Sequence, residues 1–244
     1  MLDSGQLKRW SAMDGKNIDL AADEKVSLLC KNNIKRKWRR AHEEINSVGA
    51  IGCAYSHISL WKWLVDSSHD VLLVFEDDAK VPADFVQKLQ MAIDNSQILR
   101  TGDYDIVVPA TTASTSIIPS ERFVKKVNFF MCTQFYIITK TCARRFLAEV
   151  YPITEHIDLW ICLFNLVRGI KMFCINPVWL EVRQNNSTSD ITSVDYCPLC
   201  NIGVDFYQSG RLVPIWDYWT IRLAEAGLGG LGLWMLWKTY GKTK

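Results

Sequence analysis

The sequence predicts an α/β protein with a mainly parallel sheet covered by helices on both faces, and three observations carry that expectation. Apolar residues recur at helical spacing in several separate stretches, short apolar runs of strand length stand between them, and turn-forming residues punctuate the alternation. Strands alternating with helices are the mark of crossover-built sheets. The 244 residues are 49% hydrophobic, enough to bury one large core or two small ones.

Taken in order, Ile51, Ala54, Tyr55, Ile58, Trp61, Leu64 and Val65 share one face of a helix over residues 51–65. The run VLLVF at 71–75 then reads as a strand buried on both faces. Pro82 and Asp84 open a second helix, in which Phe85, Val86, Leu89, Ile93 and Leu99 form the apolar stripe. Residues 104–108 and 134–138 read as strands on either side of a polar loop at 110–116. Helices follow over 142–150 and 157–167, and a last strand over 171–175 is closed by Asn176 and Pro177.

The formal net charge of +2 gives no field that would gather a polyanion, so nucleic acid is not an expected partner. Most of the eight cysteines sit inside apolar runs, where a thiol packs as a small hydrophobe. Cys197 and Cys200 form a single CxxC pair, too little for a zinc site by itself. The opening MLDSGQLKRW has no apolar segment of signal-peptide type, which points to a cytoplasmic or membrane-peripheral location. Near the end, residues 226–237 read AGLGGLGLWMLW, short of the roughly 20 apolar residues a spanning helix needs. With its tryptophans and flanking lysines, the stretch 226–244 suits a peripheral membrane contact.

The chemistry concentrates where the first strand ends, in Glu76, Asp77 and Asp78. Three adjacent carboxylates at the mouth of an apolar strand repel one another, and a divalent cation would compensate them. On an extended chain Glu76 and Asp78 share one face and Asp77 takes the other. Hard cations with few protein ligands keep positions free for phosphate oxygens, which suits Mn²⁺ or Mg²⁺. A solvated acidic turn or a helix N-terminus would account for the same three residues.

The unit GAIGCAYSHISLWKWLVDSSHDVLLVFEDDAKV at 49–81 resembles glycosyltransferase family 25, whose motif is a G-E-x-G-C-x-x-S-H-x-x-x-W helix followed by an apolar strand ending in E-D-D. RWSAMDG at 9–15 is similar to the family's R-F-x-A-x-D-G stretch, and FYIITKTCARRFL at 135–147 to its Y-x-I-S-x-x-A-x-x-L segment. EHIDLWICLF at 155–164 and QNNSTSDI at 184–191 extend the likeness, which covers residues 7–192 and leaves 193–244 as a C-terminal extension with an apolar tail. Two departures stand out: Ala50 replaces the motif glutamate, and the strand that members normally carry upstream of R-F-x-A-x-D-G is not found.

The resemblance implies a GT-A-like fold, here lacking the family's first strand, and inverting transfer of a hexose from a UDP-sugar or other nucleotide sugar with Mn²⁺ or Mg²⁺. The acceptor would be a glycan, lipid-linked or protein hydroxyl. By the same resemblance Glu76 and Asp78 hold the metal and Asp77 contacts the donor sugar or orients a metal-bound water. Asp158 is the base for the acceptor hydroxyl, with Glu155 and Asp190 behind it, or else a charge at a helix N-terminus. Ser56 and His57 bind the donor, unless His57 is a structural hydrogen-bonder, and Asp14 and Gly15 line the nucleotide site or form a turn. The basic run Lys35, Arg36, Lys37, Arg39 and Arg40 reads as a solvated helix face or as a dock for an anionic acceptor. The alternative to an active transferase is a catalytically degenerate member that binds or scaffolds.

Overall fold

A computed structural model describes residues 7–37, 44–108, 113–115, 121–176 and 180–184. Asp190, Arg39, Arg40, the Cys197/Cys200 pair and the extension 193–244 with its apolar tail lie outside the described residues.

Helix α1 (Leu28–Arg36) is opened by Ser27, whose hydroxyl accepts from the Cys30 amide, and α2 (Val48–Asp66) by Ser47, which accepts from Ala50. Each cap satisfies an amide that the helix itself leaves without a partner. The chain continues through β1 (Val71–Phe75), β2 (Ala79–Lys80), α3 (Phe85–Asn95), α4 (Gln97–Thr101), β3 (Ile106–Val108), β4 (Ala113–Thr115), β5 (Val124–Phe130), β6 (Phe135–Thr139), α5 (Lys140–Glu149), α6 (Ile157–Arg168), β7 (Met172–Ile175) and β8 (Arg183–Gln184). Six strands form one sheet in the order β1-β6-β3-β7-β5-β4, and β2 pairs with β8 beside it.

The expectation of a mainly parallel sheet is corrected. Only β3 and β7 pair in parallel, and the other four ladders of the large sheet are antiparallel. Because β6 runs against both β1 and β3, the strands β1, β3 and β7 share one direction, as strand–helix alternation implies. Alternation fixes direction, not adjacency, and β6 wedges between β1 and β3. On the far side β5, whose sequence VKKVNFF carries no strict alternation, pairs antiparallel with β7.

Helices do cover both faces, and the strands show why. Along β6, Tyr136 and Ile138 enter the core under α2, α5 and α6, whereas Phe135 and Ile137 enter the one under α3 and α4. The helix expected from Phe85 to Leu99 is split at Ser96, which is fully buried, caps α4 at the Leu99 amide and donates its hydroxyl hydrogen bond to Glu121. A buried hydroxyl with a capping bond ends one helix and starts the next.

The most crowded backbone contact joins α2 to the segment 10–17. Trp10 Nε1 donates to Ser59 Oγ, Met13 N donates to Ser56 Oγ, and a short 3-10 turn at Gly15–Asn17 lies against the start of the helix. A Cβ on Gly52 would stand 2.5 Å from the Met13 carbonyl oxygen, and one on Gly15 would stand 1.8 Å from that of Val48. Glycine inside a helix normally costs about 1 kcal/mol relative to alanine, so propensity alone makes Gly52→Ala stabilising. The contact reverses the sign: urea unfolding of Gly52→Ala is expected to show a loss of about 1–3 kcal/mol. A gain in stability would mean that segment 10–17 does not pack on this face.

Candidate active site

The end of β1 is a turn, not an extended strand. Glu76 N donates to the Gln134 carbonyl at 3.1 Å, and the Ala79 amide closes back on the Glu76 carbonyl at 3.1 Å. The alternation expected of an extended E-D-D run therefore does not set the directions of the carboxylates. The turn still sorts them, leaving Asp77 exposed and Glu76 and Asp78 half-buried.

Glu76 is tied inward by α2. His57 lies in mid-helix, with Nε2 3.1 Å from Glu76 Oε1 and Nδ1 2.9 Å from the hydroxyl of Tyr136. Trp61, one turn on, donates from Nε1 to the same hydroxyl at 3.1 Å. Thr133, in the loop that enters β6, donates to Glu76 Oε1 and lies 3.3 Å from His57 Nε2. His57, Thr133 and Tyr136 are buried, so these bonds compete with no solvent.

Burial opposes a charge on His57, but Tyr136, Cys53 and Glu76 around the ring hold its pKa well above the ordinary 6.5. Tyr136 is itself pushed up by burial, so it acts at neutral pH as a neutral hydroxyl and Glu76 supplies the negative charge. Burial likewise opposes ionisation of Glu76, while the hydrogen bond and charge of His57 and the Thr133 hydroxyl keep its carboxyl below the usual 4.5. Both shifts favour a charged His57 beside a charged Glu76 at the foot of the acidic turn.

Across from this pair stands Cys132, whose backbone adopts the left-handed region at φ 66°. In that conformation its amide donates to Asp158 Oδ2 at 2.7 Å, while Asp158 Oδ1 accepts from Leu159 N at 2.8 Å in the first turn of α6. Burial pushes the Cys132 thiol up to about 12, with Asp158, Glu76 and Asp78 adding to the shift. Glu76 and Asp158 therefore reach adjacent residues of one loop, Thr133 and Cys132, at the edge where β1, β3 and β7 all end. That edge is where open α/β sheets collect ligands.

The remaining expected residues lie elsewhere. Ser56 faces segment 10–17, accepting from Met13 N and donating to the Gly52 carbonyl. Asp14 is exposed and caps the turn at Lys16, and Gly15 is buried against α2. Glu155 borders Cys30 and pairs in an isolated bridge with Glu44. Sequence reasoning passed over Thr133, Tyr136, Trp61 and Cys132. The i, i+4, i+8 spacing of Cys53, His57 and Trp61 was the available signal for part of this set.

A family model for glycosyltransferase family 25, described as LPS biosynthesis protein, matches residues 6–161. The chain belongs to glycosyltransferase family 25. The match takes in α2, the acidic turn, the Cys132 loop and the first turn of α6. Among curated relatives, a glycosyltransferase 25 family member of Anopheles gambiae is 22% identical over 162 residues, which is 63% of this chain and 26% of the relative. A procollagen lysyl hydroxylase and glycosyltransferase of Acanthamoeba polyphaga mimivirus is 25% identical over 191 residues, 68% of this chain and 21% of that protein. Human procollagen galactosyltransferase 2 is 43% identical over 47 residues, 19% of this chain and 8% of its own length. The chain spans about a quarter of the length of the first of these relatives.

The paired charges make stability depend on pH in a defined window. A raised His57 pKa contributes stability that is complete below 6.5 and lost as pH rises through the folded value. A depressed Glu76 pKa contributes stability present above 4.5 and lost as pH falls through its folded value. In chelator, the unfolding free energy of wild type should exceed that of Glu76→Gln by about 3 kcal/mol between these limits, narrowing above and below. A difference that stays flat from pH 4 to 9 would mean the pair is not charged.

Proposed function

We propose that the chain is a glycosyltransferase of GT-A type that transfers a hexose, with inversion, from a UDP-linked or other nucleotide sugar to a hydroxyl acceptor. The observation that carries this reading is the meeting of Glu76, from the acidic turn, and Asp158, from α6, at adjacent loop residues, Thr133 and Cys132. Family membership supports the same conclusion.

Carboxylate oxygens of the acidic turn are the ligand type that hard cations such as Mn²⁺ and Mg²⁺ take. Glu76 Oε1 is engaged by His57 and Thr133, so Asp78 is the residue assigned to hold Mn²⁺ or Mg²⁺ directly, with Glu76 fixing the negative field behind it. When bound, the ion would neutralise charge developing on the departing diphosphate. Asp77, exposed in the turn, is the residue proposed to contact the donor sugar. Asp158 is the proposed base. Its oxygens each accept one backbone amide, which orients the carboxylate and leaves lone pairs for an acceptor hydroxyl.

Asp14, Gly15 and Ser56 support the site indirectly in this reading, by fixing segment 10–17 to α2, and His57 acts by holding Glu76. The acceptor is proposed to be a glycan, lipid-linked or protein hydroxyl, the last being favoured by the procollagen named for two relatives.

Asp78→Asn keeps volume and removes a charge, so it is expected to lower kcat by roughly a hundredfold, about 3 kcal/mol, with only partial rescue by excess Mn²⁺. Asp77→Asn should cost much less. Calorimetry with Mn²⁺ checks the assignment: unchanged affinity and a tenfold or smaller rate loss would move the metal away from Asp78. UDP with Mn²⁺ should also raise the melting temperature. If no nucleoside diphosphate does so, the binding or scaffold alternative replaces the transferase.

A further inference from the structure

The acidic turn also contributes to a mixed sulfur, nitrogen and oxygen donor set. Cys53 and His57 are four residues apart on α2 and therefore share a face, and Glu76 meets that face from the end of β1. One ligand atom from each, a thiol sulfur, a ring nitrogen and a carboxylate oxygen, lies within 4.8 Å of the other two. We propose that Cys53, His57 and Glu76 form a site for a thiophilic divalent ion of the Zn²⁺ type, separate in its donors from the hard-cation position assigned to Asp78.

Geometry and support both favour this assignment. Bonds of about 2.0–2.1 Å from zinc to nitrogen and oxygen imply a tetrahedral edge of roughly 3.3 Å, and His57 Nε2 already stands 3.1 Å from Glu76 Oε1. The sulfur has only a small movement to make on a half-buried side chain. Metal-binding histidines usually engage the second ring nitrogen with a fixed partner, which orients the ring. Tyr136 supplies that partner at 2.9 Å from Nδ1, and Trp61 in turn holds the Tyr136 hydroxyl. The ion would take the place of the Nε2 proton and the Cys53 thiol proton, releasing both. Three protein donors leave a fourth position for water. Thiolate and imidazole select zinc, cobalt or copper over magnesium and manganese.

Cobalt titration of the full chain tests this, because a thiolate bound to Co²⁺ gives a sulfur-to-metal charge-transfer band. Cys197→Ser and Cys200→Ser are included throughout, so the CxxC pair cannot contribute. The expected result is one equivalent of Co²⁺ with that band, displaced by Zn²⁺ but not by a large excess of Mg²⁺. Adding Cys53→Ser should abolish the band, Cys132→Ser should preserve it, and Glu76→Gln should keep the band while weakening binding by about tenfold. Absence of the band in the folded parent chain overturns the proposal without any further variant. A band that survives Cys53→Ser and disappears with Cys132→Ser overturns it too, placing the ion at the Cys132 thiol.

Discussion

A charged pair buried between a helix and a strand end constrains nearly everything around it. His57 comes from the middle of α2 and Glu76 from the last position before the acidic turn, so their contact fixes how far the helix slides along β1. Neither charge would tolerate burial alone, and each is held by a further bonded neighbour, Tyr136 on one side and Thr133 on the other. Tyr136 lies inside β6 and Thr133 in the loop just before it. The pair therefore locks α2, β1 and β6 together at the edge where the carboxylates gather.

That lock explains why an acidic run can sit at the mouth of an apolar strand. Glu76 pairs with His57, while Asp78 stays half-buried in the turn and Asp77 is exposed. Asp158 arrives from α6, which packs on the same face of the sheet as α2, and is fixed by the Cys132 amide. The proposed division of labour follows from these attachments: one carboxylate shapes the field, one meets the cation, one meets the acceptor.

Much of this was legible beforehand. The helix of residues 51–65 and the strand 71–75 announce themselves through periodicity, and both appear within a few residues of the expected bounds. The helices after residues 140 and 157 do the same. The neighbours of each strand were not legible, because an apolar run such as that of β6 reads identically whichever strand it pairs with. For the same reason β5, with two lysines and an asparagine among its apolar residues, carries no strand signal of its own. In the candidate site the acidic run was visible and its turn was not, since the turn depends on the Gln134 carbonyl contributed from 58 residues away. Ser56 was read as a binding residue beside His57, yet adjacent helical positions face different ways.

The left-handed backbone of Cys132 carries a consequence for how this site can drift in evolution. Only glycine adopts that conformation freely; asparagine and aspartate manage it, and β-branched residues do so at real cost. Aspartate would set a fourth carboxylate among Glu76, Asp78 and Asp158. Glycine and asparagine are therefore the substitutions that keep this φ at least cost without adding a charge, while valine, isoleucine and threonine are disfavoured by the same angle that points the amide at Asp158.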